Sequence, residues 1–272
     1  MLSFPNIKIN LGLRVTQKRS DGFHDLETVF FPVAWRDALE IVPASALSLH
    51  ITGNTIPGPA EQNLCIKAWH LLKQDFPLVE PVAIHLHKTI PAGAGLGGGS
   101  SNGAFMLKAL NRLFQLNLSA GQLEQYALKL GSDCPFFINN QPVFATGRGE
   151  LFAPVDCNLK GYHIVLINPG LHVPTGWAFA QLTPKPAEPG WQHLLKQPVS
   201  QWEALGLIND FEAPVMKQYP LMTDIKKELV NLGAAYAAMS GSGSTLFGLF
   251  TQKPQNLVVF ESKGLVVKSI VL

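Results

Sequence analysis

PAGAGLGGGSS, residues 91–101, has glycine at five of its eleven positions, and its reading decides the fold. Glycine lets backbone N–H groups come close to an anion. A helix N-terminus directly after the loop adds about half a unit of positive charge, so phosphate is the natural ligand. The flanking sequence supplies the order that this needs. VAIHLHK, Val82 to Lys88, alternates apolar and polar residues and predicts a strand that runs through Pro91 into the loop. Beyond it, Met106, Leu107, Leu110, Leu113 and Phe114 recur at helical spacing, so the helix is expected to start near Ser100 and Ser101, both suited to cap it.

Three phosphate loops compete for this stretch. A P-loop needs Lys followed by Ser or Thr after its last glycine, but Ser100 follows Gly99 directly. Gly93, Gly95 and Gly98 match the GxGxxG dinucleotide fingerprint. That fingerprint needs an acidic residue about 20 positions on for the ribose, and none lies between Ala92 and Leu123. A protein-kinase glycine loop requires HRD and DFG downstream, and neither string occurs.

Composition bounds the remaining classes. The chain has 272 residues, 47% hydrophobic and 15% charged, as in a soluble globular protein with a substantial core. No apolar run approaches the roughly 18 residues of a membrane span. The start, MLSFPNIKINLGL, lacks the order of a secretory signal, so a cytoplasmic protein is expected. Cys65, Cys134 and Cys157 are far apart and form no CxxC pair, which predicts reduced, mostly buried thiols rather than a disulfide framework or structural zinc site. The 21 Lys and Arg residues are dispersed, without the clustering of a nucleic-acid footprint.

From Ile7 to Val15, IKINLGLRV alternates. Ile7, Ile9, Leu11, Leu13 and Val15 form one face, with Lys8 and Asn10 on the other, so a strand is expected with Lys8 opposite its core face. Ala38 to Thr52 predicts two short strands and Asn63 to Lys73 a helix. Ser119 and Gln122 form a capping box for another helix, which Gly131 stops. Gln141 to Gly149 reads as loop and turn, YHIVLINPG from Tyr162 as a buried strand, and Leu182 to Gln201 as a surface connection. A helix from Pro220, strands around SGSGS and a closing helix and strand complete the chain. A soft domain boundary falls at about residue 150, giving domains 1–150 and 151–272.

PAGAGLGGGSS resembles the second motif of the GHMP kinases, the superfamily of galactokinase, homoserine kinase, mevalonate kinase and phosphomevalonate kinase. IKINLGL near the start and MSGSGSTLFGLF, Met239 to Phe250, resemble its other two motifs. KINLGLRVTQKRSDGFHDLETVF, GLGGGSSN, LGSDCPFF, GRGE and NDFE are similar, in order, to segments of the branch that phosphorylates a cytidine-diphosphate-linked sugar alcohol. DGFH, Asp21 to His24, is the most specific of them.

The resemblance implies an α/β (α+β) two-domain fold, with an N-terminal domain like the second domain of ribosomal protein S5 and a ferredoxin-like C-terminal domain. It implies ATP-dependent phosphorylation of the sugar alcohol's 2-hydroxyl, in the non-mevalonate route to isopentenyl diphosphate. Another kinase of the superfamily, or a non-catalytic nucleotide- or RNA-binding protein on the same scaffold, would share most of these features.

Pattern alone reads Asp133 as a helix cap before Pro135 and Lys8 as a solvated strand lysine; the resemblance makes Asp133 the catalytic base and Lys8 its partner. It implies that Phe23 stacks on cytosine, that His24 reads the base's hydrogen-bonding edge, and that Phe179 is the opposite face of the sandwich. Tyrosine is frequent at the first of these places, and Phe23 keeps the stacking without the hydroxyl. Asn10, Asn102 and Thr175 match other acceptor-site positions. For ATP, the loop of Pro91, Ala92, Gly93, Ala94, Gly95, Leu96, Gly97, Gly98, Gly99, Ser100 and Ser101 wraps the phosphates, while Asn63 and Lys88 match positions near the adenine. Mg2+ is expected with the nucleotide. No carboxylate ligand for it is identified. Gly241 and Gly243 of SGSGS predict a second anion-friendly turn. The expected partners are ATP and the small-molecule acceptor, with no nucleic acid or membrane.

Overall fold

The structure is a computed structural model, and it describes residues 1–186 and 190–272. Residues 187–189 of the expected surface connection lie outside the described residues. The contacts divide the chain into two units that do not follow a cut at residue 150. Unit 1 holds residues 1–7, 35–92 and 97–141; unit 2 holds 8–34, 93–96 and 142–272. Among the described residues no helix is long and apolar enough to cross a membrane.

Unit 1 is built on a sheet of β1 (Leu2–Ser3), β4 (Ala38–Pro43), β6 (Val82–Lys88) and β5 (Ser48–Gly53), in that order. β4 runs antiparallel to β6, and β5 runs parallel to it. That parallel pair needs a crossover, which α1 (Leu64–Asp75) supplies. The alternation read in VAIHLHK holds: Val82, Ile84 and Leu86 are buried while His85 and His87 are exposed. α2 (Gly98–Leu113) packs on α1 and β4, and α3 (Ala120–Leu130) and α4 (Phe136–Asn139) pack on α2. Its Met106, Leu107 and Leu110 are fully buried, each worth about 1.5–3 kcal/mol of burial. The Ser119–Gln122 capping box forms as read, and Gly131 ends α3.

Unit 2 carries two sheets. One orders β2 (Asn6–Lys18), β3 (His24–Arg36), β7 (Val143–Thr146) and β8 (Leu151–Pro154). Thus much of the stretch expected to be loop after Gln141 is one arm of a hairpin. Its strands have only four residues each, too few for alternation to show, and Gly147 to Glu150 form its turn. The other sheet orders β10 (Tyr236–Met239), β11 (Leu246–Phe250), β9 (His163–Asn168) and β12 (Val266–Val271), all antiparallel. Counting from β9, this is a split βαβ arrangement, the ferredoxin-like order that the resemblance implies. α5 (Thr175–Ala180), α6 (Glu212–Gln218) and α7 (Pro220–Asn231) lie between β9 and β10 in sequence, and α8 (Val258–Glu261) precedes β12. α7 packs on β10 and β11.

The Pro- and Gln-rich stretch is not merely a surface connection. It folds into 3-10 turns at Trp191–Lys196 and Val199–Gln201, with Trp191, Leu195, Val199 and Trp202 buried. Trp191 Nε1 donates to Glu27 (2.6 Å) and Trp202 Nε1 to the Gln197 carbonyl (2.9 Å). Tryptophan buries a large apolar body when its N–H finds an acceptor, and composition alone hides this.

Candidate active site

The glycine loop leaves unit 1 after Ala92, contributes Gly93–Leu96 to unit 2 and re-enters unit 1 at Gly97. Gly97 is the cap of α2, at φ 68°, and the helix starts at Gly98. Ser100 and Ser101 therefore lie in the first turn and do not cap it, because the left-handed glycine already turns the chain. In unit 2 the tip of the loop meets the SGSGS turn. Gly95 has φ 77°, and a Cβ on it would stand 2.2 Å from the Ser240 carbonyl oxygen. Only glycine permits that approach. Ser240 Oγ donates to the Gly95 carbonyl (2.9 Å), and Thr245 N–H to that of Ala94 (3.2 Å).

Strand β2 adds the next layer. Both of its faces are buried from Asn6 to Leu13, so Lys8 is 4% exposed rather than solvated. The polar face read in the alternation is covered from within unit 2: Lys8 N–H donates to the Leu96 carbonyl (3.0 Å) and Asn10 N–H to Ser240 Oγ (3.3 Å). Lys8 Nζ donates to Asn10 Oδ1 at 2.7 Å and lies 4.5 Å above the Phe30 ring. Asn10 Nδ2 donates to Thr28 Oγ1 (2.9 Å), whose hydroxyl donates to the Gly12 carbonyl (2.6 Å). The ammonium is thus aimed by a buried chain of fixed polarity.

DGFH forms the turn between β2 and β3. Asp21 accepts the Phe23 N–H (3.1 Å), and hydrogen bonds from Arg19 hold its carboxyl below the ordinary carboxylate range. Phe23 is 53% exposed, with the Arg148 guanidinium 4.9 Å from its centroid. The ring stacked on Phe179 is His24, at 4.7 Å and 17°, and Phe179 meets Phe211 edge-on at 4.9 Å. Thr175 opens α5, four residues before Phe179, and its hydroxyl reaches Ser242 Oγ at 3.2 Å.

Unit 1 gathers two of the sequence-identified residues around one that the sequence did not flag. Lys88 and Asn102, expected near the adenine and the acceptor respectively, both bond to the buried carboxylate of Asp37 and, at 3.0 Å, to each other. Asp37 also accepts the N–H groups of Thr89 (2.8 Å) and Ile90 (3.0 Å), which fixes the entry to the glycine loop. Asn63 is the N-cap of α1 and accepts the Cys65 N–H (2.9 Å). Asp133 is half-buried in the turn between α3 and α4. It does not cap α4, whose N-cap is Pro135 without a side-chain bond. Ser101 Oγ is buried with no partner among the described residues.

Asp37, Thr28, Ser240 and Arg148 are the neighbours that sequence reading missed. The last two lie inside quoted motifs, SGSGS and GRGE, and Thr28 lies inside the quoted segment Lys8 to Phe30, which were usable signals; Asp37 had none. The three cysteines are unpaired, and burial pushes each thiol up to about 12. At pH 8 the native thiols are expected to stay unmodified by a disulfide reagent while a free thiol reacts to completion, and to react once the chain is unfolded in denaturant.

Models of the GHMP kinases N terminal domain and the GHMP kinases C terminal domain match residues 63–147 and 194–260. The chain is 54% identical over 254 residues to a Bacteroides thetaiotaomicron protein named 4-diphosphocytidyl-2-C-methyl-D-erythritol kinase, covering 92% of both chains. It is 51% identical over 256 residues to the Cytophaga hutchinsonii protein of that name, covering 94% of each. A crystal structure of 4-(cytidine 5'-diphospho)-2C-methyl-D-erythritol kinase superposes with a TM-score of 0.76 at 33% identity, covering 92% of this chain and 90% of that one. With these matches along nearly its whole length, the chain belongs to the GHMP kinases, in the 4-diphosphocytidyl-2-C-methyl-D-erythritol kinase family.

Proposed function

We propose that the protein transfers the γ-phosphoryl group of ATP to the 2-hydroxyl of 4-diphosphocytidyl-2-C-methyl-D-erythritol, a step on the non-mevalonate route to isopentenyl diphosphate. The observation that carries this reading is the convergence on Ser240: its hydroxyl bonds both the Gly95 loop tip and the strand residue Asn10, which holds Lys8. Phosphoryl transfer asks a protein mainly to position two substrates and neutralise spreading charge. The loop of residues 91–101 holds the triphosphate through its backbone N–H groups between Ala92 and Ser100. The acceptor oxygen attacks the γ-phosphorus, the bond to the ADP oxygen breaks, and Asp133 takes the hydroxyl proton while the Lys8 ammonium polarises that oxygen.

Phe23 and Phe179 take the cytosine between them and His24 reads its edge, so the His24 ring leaves its stack on Phe179 when the base arrives. Thr175 lies beside this subsite. Asn10 orients Lys8, and Asn102 acts through its bonds to Lys88 and Asp37. Asn63 and Lys88 serve the donor side through the segments they anchor, the start of α1 and the entry to the loop.

Among the described residues no group of three or more His, Cys, Asp or Glu is arranged to hold a metal. The unpartnered Ser101 hydroxyl suits Mg2+, which keeps most of its shell as water and phosphate oxygens. Mg2+ bound there would neutralise charge on the phosphates. The three unpaired thiols favour a reducing compartment, the cytoplasm.

The test is ADP release with 4-diphosphocytidyl-2-C-methyl-D-erythritol beside homoserine, mevalonate and phosphomevalonate. Turnover is expected only with the cytidine-linked alcohol, and His24→Ala is expected to raise its KM about tenfold with the KM for ATP unchanged. Turnover of homoserine or mevalonate instead would overturn the acceptor assignment. Nucleic-acid affinity without any kinase activity would overturn the reaction.

A further inference from the structure

NDFE, Asn209 to Glu212, lies just past the buried Leu207, and every polar side chain in it is engaged within unit 2. Asn209 is 2% exposed. Its Nδ2 donates both protons, one to the Met239 carbonyl and one to the Gly241 carbonyl, each at 2.8 Å, and its Oδ1 accepts the Phe211 N–H at 3.0 Å. Those two carbonyls flank Ser240. Glu212 closes the same stretch from the other side: Oε1 accepts the Met239 N–H (2.7 Å), while Oε2 is paired with Lys226 (2.7 Å). Asp210 ties the segment to β2, with its N–H on the Leu13 carbonyl (2.8 Å) and its Oδ2 accepting the Val15 N–H (2.8 Å).

We propose that Asn209 is a positioning residue for the donor nucleotide: its carboxamide clasps the backbone on both sides of Ser240 and so sets the place of the phosphate-loop tip. This rests on the reading of residues 91–101 as the triphosphate cradle. Two carbonyl oxygens converging on one atom need two donors there, which the carboxamide supplies and a carboxylate of the same shape cannot. The link onward is steric as well as polar. Ser240 Oγ holds the Gly95 carbonyl at 2.9 Å, and the Ser240 carbonyl sits against the bare Cα of Gly95, where even a Cβ has no room. Movement of Ser240 therefore moves Gly95. Asn209 itself touches no reacting group.

The experiment compares wild type, Asn209→Asp, Ser240→Ala and the double variant by calorimetric titration with ATP and by steady-state kinetics. Asn209→Asp sets carboxylate oxygens against two carbonyls, and Ser240→Ala cuts the bond to Gly95. Each is expected to weaken ATP affinity and raise the KM for ATP about tenfold, the scale of one buried hydrogen bond lost, with the acceptor KM changed less than about threefold. The double variant is expected to lose little more than the worse single one, because both act through one link. Wild-type ATP affinity in folded Asn209→Asp, or losses that multiply in the double variant, would overturn the proposal. If Asn209→Asp does not fold, Ser240→Ala decides alone, and unchanged ATP affinity in it overturns the link. A wild-type chain that binds ATP without phosphorylating the cytidine-linked alcohol defeats the acceptor reading and leaves this comparison intact.

Discussion

Asp133→Asn and Lys8→Met are each expected to lower kcat by about 10²–10⁴-fold, the range that a positioned proton acceptor and its partner supply, while the protein stays folded. Asn at 133 keeps size and polarity but cannot take the acceptor proton. Met at 8 keeps most of the volume of a side chain that is 4% exposed, and it leaves Asn10 bonded to Thr28. Lys8→Ala also removes the charge, but it opens a void as well, so part of any loss in that variant is structural. Both variants take the 2.7 Å donor from Asn10 Oδ1 and leave it the longer bond from Ser240 Oγ at 3.4 Å. The measurement is steady-state turnover at saturating ATP and acceptor, with circular dichroism to verify folding. Turnover near the wild-type rate in either folded variant rules out its assigned role.

Asp37→Ala is expected to give the largest loss of stability of any single polar substitution outside the catalytic pair. The carboxylate is 1% exposed and is bonded by the Lys88 ammonium, the Asn102 amide and two backbone N–H groups. Removing one partner of a buried ion pair leaves the other as an uncompensated charge, at a cost of about 3–5 kcal/mol. In a chain of this size the midpoint of thermal unfolding should fall by about 6–10 °C. Lys88→Met is expected to be milder, because Asp37 keeps three N–H donors when the ammonium is gone. Differential scanning calorimetry without nucleotide measures both. A shift of less than about 2 °C for Asp37→Ala would mean that the cluster adds nothing to stability.

How far the sequence could be read depended on how local each cause is. The strand Val82 to Lys88, the capping box at Ser119 and the stop at Gly131 are written within a few neighbouring residues, and all three stand where pattern put them. The start of α2 was misread by two to three residues. Serine is the usual cap, whereas here a left-handed Gly97 turns the chain first. The hairpin of β7 and β8 escaped because four-residue strands carry too little alternation, and the pairing that stabilises them lies across the turn and with β3. The tryptophans at 191 and 202 were hidden in a Pro- and Gln-rich composition that usually marks surface.

The candidate site divides the same way. Its glycine loop, the lysine on β2, the DGFH turn and SGSGS were legible because each is a short run of particular residue types that resembles a family motif. Their partners were not. Asp37 lies 51 residues from Lys88 and Asn10 lies 230 from Ser240, so no local pattern records either pairing.

By itself, the sequence determined the strands and helices with strong periodicity, the glycine-rich loop of residues 91–101 that leads into a helix, and the family. Hydrophobic period, helix caps and glycine freedom act over one or two turns of chain. Tertiary structure alone decided that Lys8 is buried and aimed by Asn10, that Lys88 is paired with Asp37, that His24 stacks on Phe179, and that Asn209 clasps the turn around Ser240. Burial, pairing of charges and ring stacking depend on which distant segments share a packed interior, and that follows from closing the whole chain around its cores.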